Sequence, residues 1–425
     1  MKYFILYIIA LFIVFQSCRK DEISEKQATA FYKILGSDFK DKATDIKQTP
    51  DGGYIVTGKL TIEGDGYPDH TDLLAIKTDK YGNYEWAKHF GDSLDDAGNC
   101  VQILSNGNYL FFGYYTVKKE SISEESDSAN TDFYSVILNE NGDTILDYNF
   151  GSNYMEKGYY AEITDNNDII IVGKIEDSIS LNHRMYALRV DSSFNNIIWE
   201  NSYFDRTNPE NINHIIRLNS NESFLVTNEK NGNNNILSFM TLNKNNDQNY
   251  DFKFTSIANK PSIIGNSAVL LPDKSIIVIG EITNENKDIF LMKIKPPYEN
   301  ADTLWTKSVS AYNNPNSNDI GADIILTHDN NIIIVGYTNS AEPEEDEPLS
   351  NNDLDNGFDS YIAKLDTGGN VLFDTTYGTL GDQKANAVIQ SSDGRFVLVG
   401  STEFAEGNDL IYMMKVNSEC VLRFE

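Results

Sequence analysis

The feature that most constrains this chain is a degenerate repeat that occurs seven times. Its cleanest copy is ATDIKQTPDGGYIVTG, Ala43 to Gly58, and ANAVIQSSDGRFVLVG, Ala385 to Gly400, aligns with it without a gap. The apolar strand after the turn begins at Tyr54, Tyr109, Ile169, Phe224, Ile276, Ile332 and Phe396, in steps of 55, 60, 55, 52, 56 and 64 residues. A repeat of this period specifies a stacked or radial architecture. Four residues after each start stand Gly58, Gly113, Gly173, Asn228, Gly280, Gly336 and Gly400. Six glycines and one asparagine mark a backbone position that needs either positive φ or the close approach of another segment. Each strand is apolar almost throughout, the pattern of a strand covered on both faces.

A third strand follows, often introduced by aspartate, as at Asp72, Asp132, Asp288 and Asp359. Its sixth position is Lys77, Ile137, Arg189, Thr241, Lys293, Lys364 and Lys415, so five of seven are basic. Tight turns come next, Tyr81-Gly82-Asn83, Asn141-Gly142-Asp143 and Gly368-Gly369-Asn370, with the Gly/Asn chemistry of hairpins. The fourth strand opens on a bulky residue: Trp86, Leu146, Trp199, Tyr250, Trp305 and Phe373. All three tryptophans of the chain sit at this one position, which points to a repeated packing role.

Strand counting gives the closure. Six units have four strands, but the seventh, from Ala385, runs out at Glu425 before its fourth. The missing piece is at the other end. FYKILGSDFKDKA, Phe31 to Ala43, matches FDTTYGTLGDQKA, Phe373 to Ala385. The expectation is an all-β, seven-bladed β-propeller of four strands per blade, its last blade completed by the N-terminal strand. Such closure removes the open edges of a repeated sheet, whereas a solenoid would need capping repeats.

The unit A.dI..t.DGGyivtG…D.lliKtd..Gn..W.k.fG resembles the repeats of bacterial extracellular β-propellers of the delta-60 and SBBP-like kind, from Ala28 to Glu425. These are common in secreted and lipid-anchored Bacteroidetes proteins. The resemblance implies the fold and leaves function open, because propellers serve many roles. The fourth unit departs most, with Asn228 for glycine and Thr241 for lysine, so an irregular blade is expected there.

Residues Phe4 to Phe15 form an apolar run after Lys2, too short for a membrane span and placed as a signal peptide is. Phe15-Gln16-Ser17-Cys18 looks like a bacterial lipobox, with cleavage before Cys18 and the lipid on that cysteine. Arg19-Lys20-Asp21-Glu22 resembles the signal that sends Bacteroidetes lipoproteins to the cell surface. The expected organisation is a signal peptide over 1–17, a lipidated tether over 18–29 and one propeller over 30–425. The expected address is the outer membrane, facing the exterior, with the membrane as a partner through the anchor. Net charge is −30, which argues against a nucleic-acid partner. The other two cysteines, Cys100 and Cys420, fall in blades separated by blade one, so no bond between them is expected.

The long insertions all follow strand two: Leu60–Thr71, Val117–Thr131 and Ala341–Phe358. In the closed ring they crowd one sector of one face, where binding loops belong. They are acidic, with Glu63, Asp65 and Asp69, then Glu120, Glu124, Glu125 and Asp127, then Glu342, Glu344, Glu345, Asp346, Glu347, Asp353 and Asp355. These are the candidate ligand or calcium loops. No EF-hand run occurs, and no cofactor is expected. The five histidines show no metal-ligand spacing, and no G-x-S-x-G turn or phosphate-binding glycine loop is present. The recurrent basic residues are expected to pair with a neighbouring blade's acid, and the strand-four aromatics to pack between blades. The expected function is a non-enzymatic binding or scaffold module for a protein or glycan partner. The alternative is a polysaccharide lyase or hydrolase, whose two carboxylates would meet at the channel mouth.

Overall fold

The computed structural model describes residues 30–36, 40–64, 69–118, 129–152, 154–176, 183–203, 209–245, 249–257, 262–300, 302–314, 316–340, 354–378, 381–405 and 408–422. Strand β1 (Phe31–Leu35) comes first. Blade one is β2 (Lys42–Gln48), β3 (Tyr54–Ile62), β4 (His70–Thr78) and β5 (Tyr84–Phe90). Blade two is β6 (Ala97–Ile103), β7 (Tyr109–Lys118), β8 (Ala129–Leu138) and β9 (Thr144–Phe150). Blade three is β10 (Met155–Ile163), β11 (Ile169–Glu176), β12 (His183–Val190) and β13 (Ile197–Tyr203). Blade four is β14 (Pro209–Asn219), β15 (Glu222–Asn231), β16 (Asn234–Asn245) and β17 (Asn249–Ile257). Blade five is β18 (Ser262–Leu270), β19 (Ile276–Thr283), β20 (Lys287–Ile294) and β21 (Thr303–Val309). Blade six is β22 (Asp319–Leu326), β23 (Ile332–Ser340), β24 (Leu354–Leu365) and β25 (Val371–Tyr377). Blade seven is β26 (Gln383–Gln390), β27 (Phe396–Ala405) and β28 (Asn408–Val416), with β1 as its fourth strand.

Seven antiparallel four-stranded sheets thus form the ring, and Phe31↔Lys415 to Leu35↔Ile411 is the pairing that closes it. Six of the seven expected strand-two starts are met; β15 begins two residues before Phe224. The apolar cores lie between blades. Ile55, Leu73 and Ala75 of blade one, for example, join Val101, Phe111 and Val136 of blade two.

The recurrent glycine answers to close approach. None of the six has positive φ. A Cβ on Gly58 would overlap the carbonyl of Lys42, and those on Gly113, Gly280, Gly336 and Gly400 would overlap the matching carbonyls of Ala97, Ile264, Ile320 and Lys384. The crowding comes from a β-bulge that every inner strand carries at this point, for example between Ala43 and Asp45. Blade four is irregular, as expected. β14 has further register shifts at each end, and Asn228 reaches out, donating Nδ2 to the Gly265 carbonyl (2.9 Å) and accepting the Gly265 amide (2.8 Å).

The recurrent basic residues pair within their own blade rather than with a neighbour's acid. Lys77 bonds Asp51 at 2.8 Å, Lys293 Asp273 at 3.4 Å, Lys364 Asp329 at 2.7 Å and Lys415 Asp393 at 2.7 Å. Each acid sits three residues before its strand two, so the short turn delivers it to the adjacent strand three. Blades two and four, with Ile137 and Thr241, have Asn106 and Asn221 at the acid position. Blade three, with the longer arginine, takes Asp168 instead (2.6 Å).

The strand-four aromatics whose side chains are described do pack between blades; the side chain of Tyr250 lies outside the described residues. Phe31 lies against Gly82, Trp86 against Gly142 and Trp305 against Gly369, each the turn glycine of the next blade. A Cβ on any of these glycines would come within 2.8–2.9 Å of the ring.

Candidate functional site

The inner strands β2, β6, β10, β14, β18, β22 and β26 enclose a central channel with a cavity of about 420 Å³. Its wall is built by the bulges. The extra residue of each bulge is Thr44, Asn99, Tyr159, Asn213, Asn266, Ala322 or Asn386, re-aimed by the bulge away from the regular alternation. Five of them donate to a backbone carbonyl of the next blade. Thr44 bonds Gly98 (2.8 Å), Asn99 bonds Gly158 (2.6 Å), Asn213 bonds Gly265 (2.6 Å) and Asn266 bonds Gly321 (2.8 Å). Asn386 bonds Ala43 (2.9 Å), carrying the ring across its seam. Between blades three and four the Tyr159 hydroxyl donates to Asn211 instead (3.0 Å).

The next residue along forms a second ring by accepting an amide of the following blade. Asp45 accepts Val101 N–H (3.0 Å), Cys100 Sγ accepts Ala161 N–H (3.1 Å), His214 Nδ1 accepts Ala268 N–H (3.0 Å) and Asp323 accepts Val388 N–H (3.0 Å). Sequence reading missed both rings. Their signal is the run of asparagines two residues before each copy of the buried apolar position, at Asn99, Asn213, Asn266 and Asn386.

These bonds decide the chemistry of the wall. Asp45 also accepts Ile46 N–H and the Lys47 ammonium on its other oxygen, at 2.8 and 2.7 Å. Asp323 accepts Ile324 N–H (2.9 Å) and the Ser267 hydroxyl (2.7 Å). Burial disfavours the Lys47 charge, but Asp45 and the more distant Asp323 outweigh it and hold the ammonium above its ordinary value. Burial lowers His214, against the pull of Asp323. With Nδ1 an acceptor, its proton is on Nε2. Burial also holds Cys100 as a thiol, well above the usual range. Cys100 and Cys420 are both free, and both are fully buried.

Of the insertion carboxylates, Glu63 and Asp69 are exposed beside the β3–β4 hairpin, where Asp69 accepts Gly64 N–H at 3.3 Å. Asp65, Glu120, Glu124, Glu125, Asp127, Glu342, Glu344, Glu345, Asp346, Glu347, Asp353 and the side chain of Asp355 lie outside the described residues, as does Cys18. The hairpins themselves run further than expected, pairing out to Ile62↔His70, Lys118↔Ala129 and Ser340↔Leu354. Two histidines meet where the sequence showed no motif: His89 Nδ1 lies 2.6 Å from Asp72 and His70 Nε2 3.8 Å from it. Among the described residues no group of three or more His, Cys, Asp or Glu side chains is arranged to hold a metal.

No protein-family model and no curated protein sequence matches this chain. Solved structures do. A polysaccharide lyase, an ulvan lyase bound to –[GlcA(1-4)Rha3S]–, aligns at 12% identity and TM-score 0.53 over 91% of this chain and 96% of its own. The WD40 domain of Pan2 from Neurospora crassa aligns at 10% and 0.50 over 93% and 98%. A protein of unknown function from Dyadobacter fermentans aligns at 10% and 0.46 over 91% and 97%. At these identities the likeness is one of fold: the chain is a seven-bladed β-propeller, a scaffold shared by enzymes and non-enzymes.

Proposed function

We propose that this protein is a lipid-anchored propeller of the outer membrane, held through Cys18 and displayed outward, that binds a protein or glycan partner without transforming it. The lipobox-like Phe15–Cys18 and the delta-60-like repeat support the address. One observation carries the choice against an enzyme. Both oxygens of each channel aspartate, Asp45 and Asp323, are committed to backbone amides and to Lys47 or Ser267. A general acid or base needs a proton it can exchange with substrate, and these carboxylates are spent on joining blades.

Two experiments test this. The Cys18→Ser variant is expected to leave the membrane fraction and to lose metabolic acyl labelling. Crosslinking on intact cells, followed by recovery through a C-terminal tag, is expected to bring down a stoichiometric partner or envelope glycan. Turnover of any member of a polysaccharide panel by the purified protein would overturn the non-enzymatic reading.

A further inference from the structure

The mouth of the channel, on the face where the blades join, carries an uneven charge. At the position just after the recurrent glycine, blades one to three have Lys59, Tyr114 and Lys174, whereas blades four and five have the buried acids Glu229 and Glu281. The inner strands add Lys42, Lys157 and Lys384 on blades one, three and seven. In a chain of net charge −30 this is a concentration of the minority sign.

The lysines form a connected arc. Lys42 and Lys59 are cross-strand partners in the register of β2 and β3, directly opposite each other. Like charges so placed repel. Lys59 Nζ donates to the Tyr114 hydroxyl at 2.9 Å and lies 5.3 Å from its ring centre, and Lys157 Nζ lies 5.1 Å from the same centre. On the other side Lys384 stands over Tyr337 and Phe358, at 5.7 and 5.2 Å, and pairs with Asp382. Lys42, Lys59 and Lys157 have no ion pair among the described residues. Lys42 is open to solvent, yet the protein walls around it, with Lys59 and Lys384 nearby, hold its ammonium below the ordinary value despite Asp409. Like charges held together without an ion pair to neutralise them mark a binding surface rather than a fold determinant.

Directly inside the arc is a funnel of about 350 Å³, which falls in the range of ligand sites. Lys42, Thr44, Tyr159 and the four bulge asparagines line it. Each asparagine commits one amide N–H to the ring. Asn213 turns its second N–H to Asn266 Oδ1 (3.4 Å), whereas at Asn99, Asn266 and Asn386 the other N–H, and at Asn99 and Asn386 the carbonyl oxygen, have no partner among the described residues. Closely spaced donors and acceptors beside cations suit a ligand rich in hydroxyls and bearing fixed negative charge. A peptide would want an apolar anchor pocket, and the only aliphatic anchor in the funnel is Ile212, itself buried.

We infer that the channel mouth over blades seven, one, two and three binds an anionic polysaccharide. Lys42, Lys59 and Lys157 hold its carboxylate or sulfate groups, and the bulge asparagines meet its hydroxyls. This rests on the binding-module reading and names its ligand class.

The test uses the full chain in detergent micelles and isothermal titration with two matched pairs. These are polygalacturonate against its methyl ester, and dextran sulfate against dextran. At least one charged polymer is expected to bind about tenfold more tightly than its neutral partner, with the effect fading as salt rises. Which pair shows it tells carboxylate from sulfate. Lys42→Ala with Lys59→Ala should lose about tenfold or more of that affinity. Its melting temperature should change little, because the relieved Lys42–Lys59 repulsion offsets the lost Lys59–Tyr114 contact. Lys157→Gln, one blade further on, should lose affinity too and carries the test should the double variant unfold. Equal binding of charged and neutral polymers, no binding of either, or lysine variants that bind like the parent would each overturn the inference. Recovery of a protein partner with no polyanion bound would also overturn it, and would leave the binding-module reading standing. Lysine-dependent binding accompanied by a fall in polymer viscosity would do the reverse.

Discussion

Blade one and blade four have the same four strands but hold them differently. Blade one has Gly58 beneath the Lys42 carbonyl, Lys77 clasping Asp51, and Trp86 against the next blade's Gly142. In blade four the first is Asn228, the second pair is Thr241 with Asn221, and the inner strand is shifted in register at three places. The changes come in sets. Where the lysine is lost, its aspartate is lost with it. Where the glycine is lost, the strand opposite loosens its register and the new side chain bonds the neighbouring blade. A propeller blade therefore tolerates departure from the repeat when interacting positions change together, because a charge or a polar group left alone costs more than a neutral pair removed.

The largest effect expected from breaking this contrast is at the glycine. Gly58→Ala would force a Cβ into the Lys42 carbonyl and should cost about 3 kcal/mol, the upper end for overpacked sites. Asn228→Ala loses two buried hydrogen bonds and should cost about 1–2 kcal/mol. Chemical unfolding midpoints of the two variants check the order, and a milder effect at Gly58 would refute the close-approach reading.

A smaller effect is expected at the clasp. Lys77 is buried, at 1% exposure, but its partners Asp51 and Glu85 are open at 55% and 41%, so the charges left behind by Lys77→Thr are solvated. The loss should be about 1 kcal/mol. Adding Asp51→Asn, which rebuilds the pair of blade four, should show a coupling of about 0.5 kcal/mol in a double-mutant cycle. Strict additivity would mean that the joint change in blade four is incidental.

The smallest effect is one of pH. Burial pushes Asp96 up to about 7, with Asp92 and Asp72 adding to it. Burial likewise lifts Glu162 to about 7 against Arg217, and Asp319 to about 6. In each case the folded chain keeps a proton that the unfolded chain releases near pH 4. Stability therefore declines as pH rises from about 4 to 7. The clasps have the opposite sign. Burial would raise Asp51, but Lys77, Thr49 and the Gly53 amide outweigh it and hold it at about 2, so its contribution is present above about pH 4 and is lost toward pH 2. Calorimetry should show the melting temperature highest near pH 4–5 and lower on both sides. Asp96→Asn should flatten the alkaline limb; an unchanged limb would place the pH dependence elsewhere.

Much of this was legible in the chain itself. The apolar runs, the Gly/Asn turns and the aromatic at strand four are local, so six strand starts and the packing role of the tryptophans could be read directly. The glycine position was legible as special but not as to why, since positive φ and close approach leave the same residue in the sequence. The clasp was legible too, in Asn106 and Asn221 opposite Ile137 and Thr241, yet its partner was placed in the wrong blade. A lysine's reach does not say which of two nearby turns it meets. The pairing of His70 and His89 on Asp72 had no motif, because it depends on the register of β4 with β5.

The number of blades and the closure follow from the order of residues, because a repeat records the same short-range physics seven times and Phe31–Ala43 and the unit from Ala385 are fragments of one blade. The tertiary structure alone decided what faces the channel. The contacts there join residues more than fifty positions apart, such as Asn99 and Gly158, and at the seam Asn386 and Ala43, which are 343 apart. Only the bulges and the closed ring bring those residues, and the lysines of the mouth, into one place.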